Sequence, residues 1–172
     1  MTTTEWIPPL NPIWGPGPAN PCDAGATLSG IGDGEQNTTN IIANCGTNPS
    51  YAANRARAYG IGVPVDDSWL PSKGEFEEAF QVLGPGASGY TSWGTPLDNA
   101  ANLGQSIQGY TEFWTSTEVD TNTAWKIWDD LFTPGTTQTS VTVKWDNNRV
   151  RAVRQLTGGV VLKCANGYHE PY

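Results

Sequence analysis

The chain has 172 residues, a net charge of -8 and a hydrophobic fraction of 37%, which suits about one domain with a single sizeable core. An acidic surface repels phosphate backbones and anionic headgroups, so nucleic-acid and membrane partners are set aside. No run reaches the roughly 20 apolar residues that span a bilayer, and Met1-Thr2-Thr3-Thr4-Glu5-Trp6 has neither a basic nor an apolar region of the kind a signal peptide needs.

The 20 glycines and 13 prolines predict many turns and long loops, and the eight tryptophans supply large buried areas. Residues 1–26 read as an extended, Pro-rich arm. They hold Pro8, Pro9, Pro12, Pro16, Pro18 and Pro21, which forbid a helix and spoil a central strand. The same segment carries Trp6, Ile7, Leu10, Ile13 and Trp14, so it is expected to dock, either on its own domain or on a neighbour. The division expected is an arm at 1–26 and a folded domain at 27–172.

A first helix is predicted from Gly34 to Cys45, burying Ile41, Ile42 and Cys45 and ended by Gly46 as its C-terminal cap. Pro49 opens a second, Ala-rich helix toward Gly60, with Tyr51, Arg55 and Tyr59 on one face. The third helix, at 73–83, carries the plainest signal. Ser72 is its N-cap, Glu75 completes a capping box, and Phe76, Ala79, Phe80 and Leu83 form the buried stripe. Gly84-Pro85-Gly86 stops it. Residues 84–109 show little periodicity and read as a functional loop. Beyond 110 the pattern turns to strands: Tyr110–Ser116, Ala124–Asp129, Ser140–Trp145, Arg149–Gln155 and Val160–Cys164, with a tight turn at Asp146-Asn147-Asn148. Helices followed by antiparallel strands predict an α+β domain.

Four ordered segments carry a resemblance. They are Ile31-Gly32-Asp33-Gly34 through Asn44-Cys45-Gly46, Trp69-Leu70-Pro71-Ser72-Lys73-Gly74-Glu75-Phe76, Phe113-Trp114-Thr115-Ser116-Thr117-Glu118 with the later Ala124-Trp125, and Arg149-Val150-Arg151-Ala152-Val153-Arg154. Together they resemble the domain family named for the C-terminal domain of the Legionella collagen-like protein, over about residues 27–156. The resemblance implies a C-type-lectin-like fold, related to that of the formylglycine-generating sulfatase-modifying factors. It also implies a habit of display at the ends of surface adhesins and in phage structural proteins. It implies no catalytic residues.

The motif tryptophans Trp69, Trp114 and Trp125 are expected in the core. Arg151 and Arg154 are expected to pair with Glu75 or Glu118. C-type lectins hold Ca²⁺ with loop oxygens and a Trp-Asn-Asp turn. The comparable oxygens here are Glu118, Asp120 and Asn122 after the tryptophan strand and Asp146 and Asn147 after Trp145. The turn order is Asp-Asn rather than Asn-Asp and no Glu-Pro-Asn triplet occurs, so a plain hairpin turn with surface acids is the other reading. Cys22, Cys45, Cys164 and His169 lack zinc-ligand spacing, and the three cysteines suit buried thiols with at most one bridge. A formylglycine-generating enzyme would need a late pair of cysteines, and only Cys164 is there. For a ligand, Tyr90 and Trp93 in the irregular stretch and then Trp128 and Trp145 are the aromatics placed to stack on a sugar ring.

The function expected is that of a non-enzymatic binding module on a virion surface, reached without a signal peptide. It would be held to other virion proteins through residues 1–26, form a homo-oligomer, and adhere to a host-surface glycan or protein. A structural decoration protein without a ligand is the alternative.

Overall fold

The structure, a computed structural model, describes residues 12–58, 68–83, 112–129, 137–156 and 159–161. Three helices and six strands follow in the order α1 (Gly34–Cys45), α2 (Ala52–Ala58), β1 (Ser68–Trp69), α3 (Lys73–Leu83), β2 (Glu112–Glu118), β3 (Thr123–Asp129), β4 (Thr137–Val143), β5 (Val153–Leu156) and β6 (Gly159–Val161). The chain is therefore α+β. The strands make two antiparallel sheets, ordered β2-β3-β4 and β1-β5-β6.

α1 spans the residues its sequence signals. Gly46 ends it at φ 93°, the left-handed conformation that glycine reaches without steric cost. Its inward face is more polar than the apolar count suggests: Gly34, Asn37, Thr38 and Ile41 are buried, while Ile42 and Cys45 are only partly so. α2 begins at Ala52, after Pro49 and Tyr51, and its predicted end at Gly60 lies outside the described residues. α3 starts with the capping box drawn from sequence. The Ser72 amide donates to Glu75 Oε2 at 2.8 Å, and the Glu75 amide donates back to Ser72 Oγ at 3.1 Å.

The β2-β3-β4 sheet packs on one face against α3 and on the other, around Trp114 and Ala124 only, against the main core. On one, Phe113 and its register partner Ile127 meet Phe76 of α3, with the Phe76 and Phe113 ring centroids 5.7 Å apart. On the other, Trp114 and Ala124 join Trp14, Ile41, Leu70 and the α2 alanines in the main core. β2 is buried along nearly its whole length because segments distant in sequence complete its second edge. Its backbone amides at Trp114, Ser116 and Glu118 donate in turn to Arg149 O at 2.9 Å, Pro71 O at 2.8 Å and Ala26 O at 2.7 Å.

One expectation is narrowed and two need correction. The described part of the arm does not stand apart: Trp14 is 0% exposed, Cys22 is disulfide-bonded to Cys45, and Ala24 and Ala26 are core residues. Proline excluded regular structure from this segment, but its tryptophan and alanines still fill the core. Residues 12–26 thus dock on their own domain, one of the two expected places, and residues 1–11 lie outside the described residues. The turn at 146–148 does not close a hairpin either: β4 pairs with β3, and β5 pairs with β1 in the other sheet. Trp125 is half-buried rather than in the core, its ring covered by Lys73 Nζ at 5.1 Å, whereas Trp69 and Trp114 are buried as expected.

Candidate functional site

Two sites follow from the sheet. The first is buried. Glu118 ends β2 and Lys144 follows β4, and their side chains, each 1% exposed, form an ion pair. The carboxylate also accepts from the Ala24 amide at 2.9 Å and the Ala26 amide at 3.1 Å. The ammonium donates to Cys22 O at 2.7 Å and Thr121 O at 3.1 Å, and lies 4.5 Å from the Trp14 ring centroid. Every charge taken out of water here is met by an opposite charge and by hydrogen bonds, the condition under which a buried pair is tolerated. Its partners come from the N-terminal segment, the β2–β3 turn and the end of β4. The pair therefore holds the framework together and faces no solvent.

That placement accounts for several expected ligands. Glu118 is spent on Lys144 and on two backbone amides, so it does not share a cage with Asp120 and Asn122. Among the described side chains the partner of Glu118 is a lysine, and Glu75 is engaged by the amides of Ser72 and Gly32, at 2.8 and 3.0 Å. Arg151 lies with its guanidinium 6.0 Å from the Phe113 ring centroid, and the Arg154 side chain lies outside the described residues. Asp120 is exposed and caps its own turn: Oδ1 accepts from the amides of Asn122 and Thr123, both at 2.8 Å. The Asn122 amide is the largest cause holding the Asp120 carboxyl below its ordinary value, followed by Thr123. Asp146 accepts from Thr142 Oγ1 at 2.7 Å, and Asn147 is exposed beside it. Among the described residues, no group of three or more acidic, histidine or cysteine side chains converges as a metal cage.

The second site is open. β3 carries Lys126 and Trp128, and pairing across three strands gives two rows on one face: Glu112, Trp128 and Gln138, then Trp114, Lys126 and Ser140. Trp114 is buried under the N-terminal segment, its indole donating to Pro12 O at 2.9 Å. The rest of the face is less covered. Trp128 and Ser140 are half-buried and Gln138 is exposed. Lys126 Nζ reaches Glu112 Oε1 at 2.6 Å and stands 5.6 Å from the Trp128 ring centroid. The Asn148 amide, oriented to donate, reaches Glu112 Oε2 at 2.9 Å. An indole flanked by an amide, a hydroxyl and a neutralised charge pair can stack on an apolar ring face and bond hydroxyl groups around it. Of the aromatics named from sequence, Trp128 is in this face, Trp145 is half-buried in the loop after Lys144, and Tyr90 and Trp93 lie outside the described residues, as do Cys164 and His169.

Sequence reasoning missed Lys144. A signal existed: it is a lone cation in the apolar-alternating run from Ser140 to Trp145, and Glu118 ends a run that reads as buried. A charge that ends a run reading as buried asks for an opposite charge, and a lone cation in an alternating run is a candidate for it. Comparison with protein-family models, with curated proteins and with solved structures gave no match.

Proposed function

We propose that the chain is a non-enzymatic binding module of C-type-lectin-like fold, displayed on a virion surface, that adheres to a host-surface glycan or protein through the β2-β3-β4 face centred on Trp128. The observation that carries the reading is the row Glu112–Trp128–Gln138 with Lys126 beside it. It presents a half-buried indole and polar groups on a sheet covered behind by α3. A rigid aromatic on a regular element loses little side-chain freedom on binding, which is why such residues dominate recognition. The four ordered segments that resemble motifs of the adhesin-associated family support the same reading.

The test is binding of the labelled full chain to intact candidate host cells and to an immobilised glycan panel, wild type beside Trp128→Ala. The expected result is saturable binding that falls by about tenfold or more in the variant, with unchanged far-ultraviolet dichroism. Equal binding by the folded variant would move the site off this face. Absence of wild-type binding to every surface would leave a decoration protein without a ligand.

A further inference from the structure

We infer that the Cys22–Cys45 disulfide is a redox-sensitive latch on the buried Glu118–Lys144 pair, closing residues 22–26 over it when oxidised and releasing them when reduced by a thiol-based reductant. The two features share one piece of chain. Cys22 gives its side chain to the disulfide and its carbonyl to Lys144 Nζ, at 2.7 Å. The next residues inward supply the backbone donors on Glu118, Ala24 and Ala26. Residues 21–29 form no helix or strand, so no ladder of their own holds them in place. What holds Cys22 laterally is its bond to Cys45, the last residue of α1, an element fixed by Asn37, Thr38 and Ile41 in the core.

The chemistry balances without any other partner. Cys45 is the more open residue, only partly buried at the end of its helix, while Cys22 is 9% exposed. A reductant thiolate attacks Cys45 Sγ, forms a mixed disulfide there, and expels the Cys22 thiolate, which takes up a proton. A second thiol of the reductant then displaces Cys45, so two electrons and two protons reach the protein and the reductant leaves as its disulfide. With the bond gone, no covalent cross-link holds segment 22–26; it keeps its hydrogen bonds to the ion pair, Ala26 O accepting from the Glu118 amide, the Asn44 side chain donating to Ala24 O at 3.0 Å, and the packing of Ala24 and Ala26 in the core. Opening it hydrates the pair.

This differs from the ordinary action of a disulfide. Loop closure over a sequence separation of 23 acts on the unfolded chain, so its loss lowers global stability and speeds exchange wherever amides open by global unfolding. A latch changes the native state locally. The test is amide hydrogen exchange of the full chain, in a Cys164→Ser background to prevent exchanged pairings. Oxidised protein, protein reduced with dithiothreitol, and the Cys22→Ser/Cys45→Ser variant are compared under native conditions. The expected result is exchange about tenfold or more faster at the Ala24, Ala26 and Glu118 amides in the reduced and variant proteins, with Phe76 and Ile127 unchanged. Unchanged exchange at Ala24 and Ala26 would overturn the proposal. So would uniform acceleration over the whole chain, because that marks global destabilisation.

Discussion

Lys144 shows how much one side chain can organise. Its ammonium closes the Glu118 site, and its backbone carbonyl accepts from the Trp14 amide at 2.8 Å while its amide donates to Asn122 O at 2.9 Å. Lys144→Met keeps the apolar stem but leaves the carboxylate buried without its cation, so a loss of about 3–5 kcal/mol is expected by urea denaturation. Adding Glu118→Gln to that variant removes the orphaned charge and is expected to recover part of the loss; an equal or larger deficit would mean that packing, not charge, dominates. Gly34 is the second sensitive residue. A Cβ there would meet Glu75 Oε2, Trp69 Cδ1 at 2.7 Å and the Ser72 amide nitrogen at 2.8 Å, so the start of α1 sits directly on the capping box of α3. Gly34→Ala is expected to cost about 1–3 kcal/mol by the same measurement. Neither role was legible in the sequence. Glu118 was visible as a functional acid, but whether its oxygens meet a metal or an ammonium depends on a residue far along the chain.

The elements divide by how local their causes are. α1 and α3 were legible to the residue because caps, glycine stops and helical spacing lie within each segment. β1 was not, since its two residues are a strand only because Val153 and Arg154 arrive opposite them. β4 ends before Trp145 because Lys144 turns inward to its carboxylate. The capping box offers a prediction at this scale. Ser72 Oγ also donates to Gly30 O at 2.6 Å, so Ser72→Ala removes a helix cap and the tie to the turn ahead of α1 together. The expected cost is at least the ~1 kcal/mol of an ordinary cap, read as a lower midpoint in urea. The β2–β3 turn gives a pH dependence. Because the folded-state value of Asp120 is lowered, its contribution is complete above the ordinary value of 3.8 and is lost as pH falls through the folded value. Acid titration followed by the amide resonances of Asn122 and Thr123 should show that loss, and Asp120→Asn should abolish the titration.

At the scale of the molecule, the chain passes from β4 of one sheet to β5 of the other after the turn that follows Lys144, and the described polar interior is nearly complete. Among the described side chains, only Asn37 Oδ1 and Thr123 Oγ1 are buried without a partner. The α+β class was legible from helices preceding strands, and the two-sheet arrangement was not, because register between distant strands leaves no local trace. The placement of residues 12–26 is hidden for the opposite reason: proline marks them as irregular, and composition does not say whether an irregular, apolar-bearing segment docks on its own domain or on a neighbour. A consequence for ligands follows. The carboxylates of Glu118, Asp120 and Asp146 are each already bonded within the protein. EDTA is therefore expected to leave the thermal midpoint unchanged, and a fall on chelation would assign Ca²⁺ to other oxygens.

The pairing of Cys22 with Lys144 spans 122 residues, and that of Ala24 with Glu118 spans 94. During synthesis the first core residues therefore leave the ribosome long before the groups that bury them exist. Trp14 and the alanines behind it must wait exposed, and the final seal of the interior is made when the chain's beginning meets its last quarter. The core of this domain is completed when residues 14–26 meet Glu118 and Lys144, a slow, non-local step.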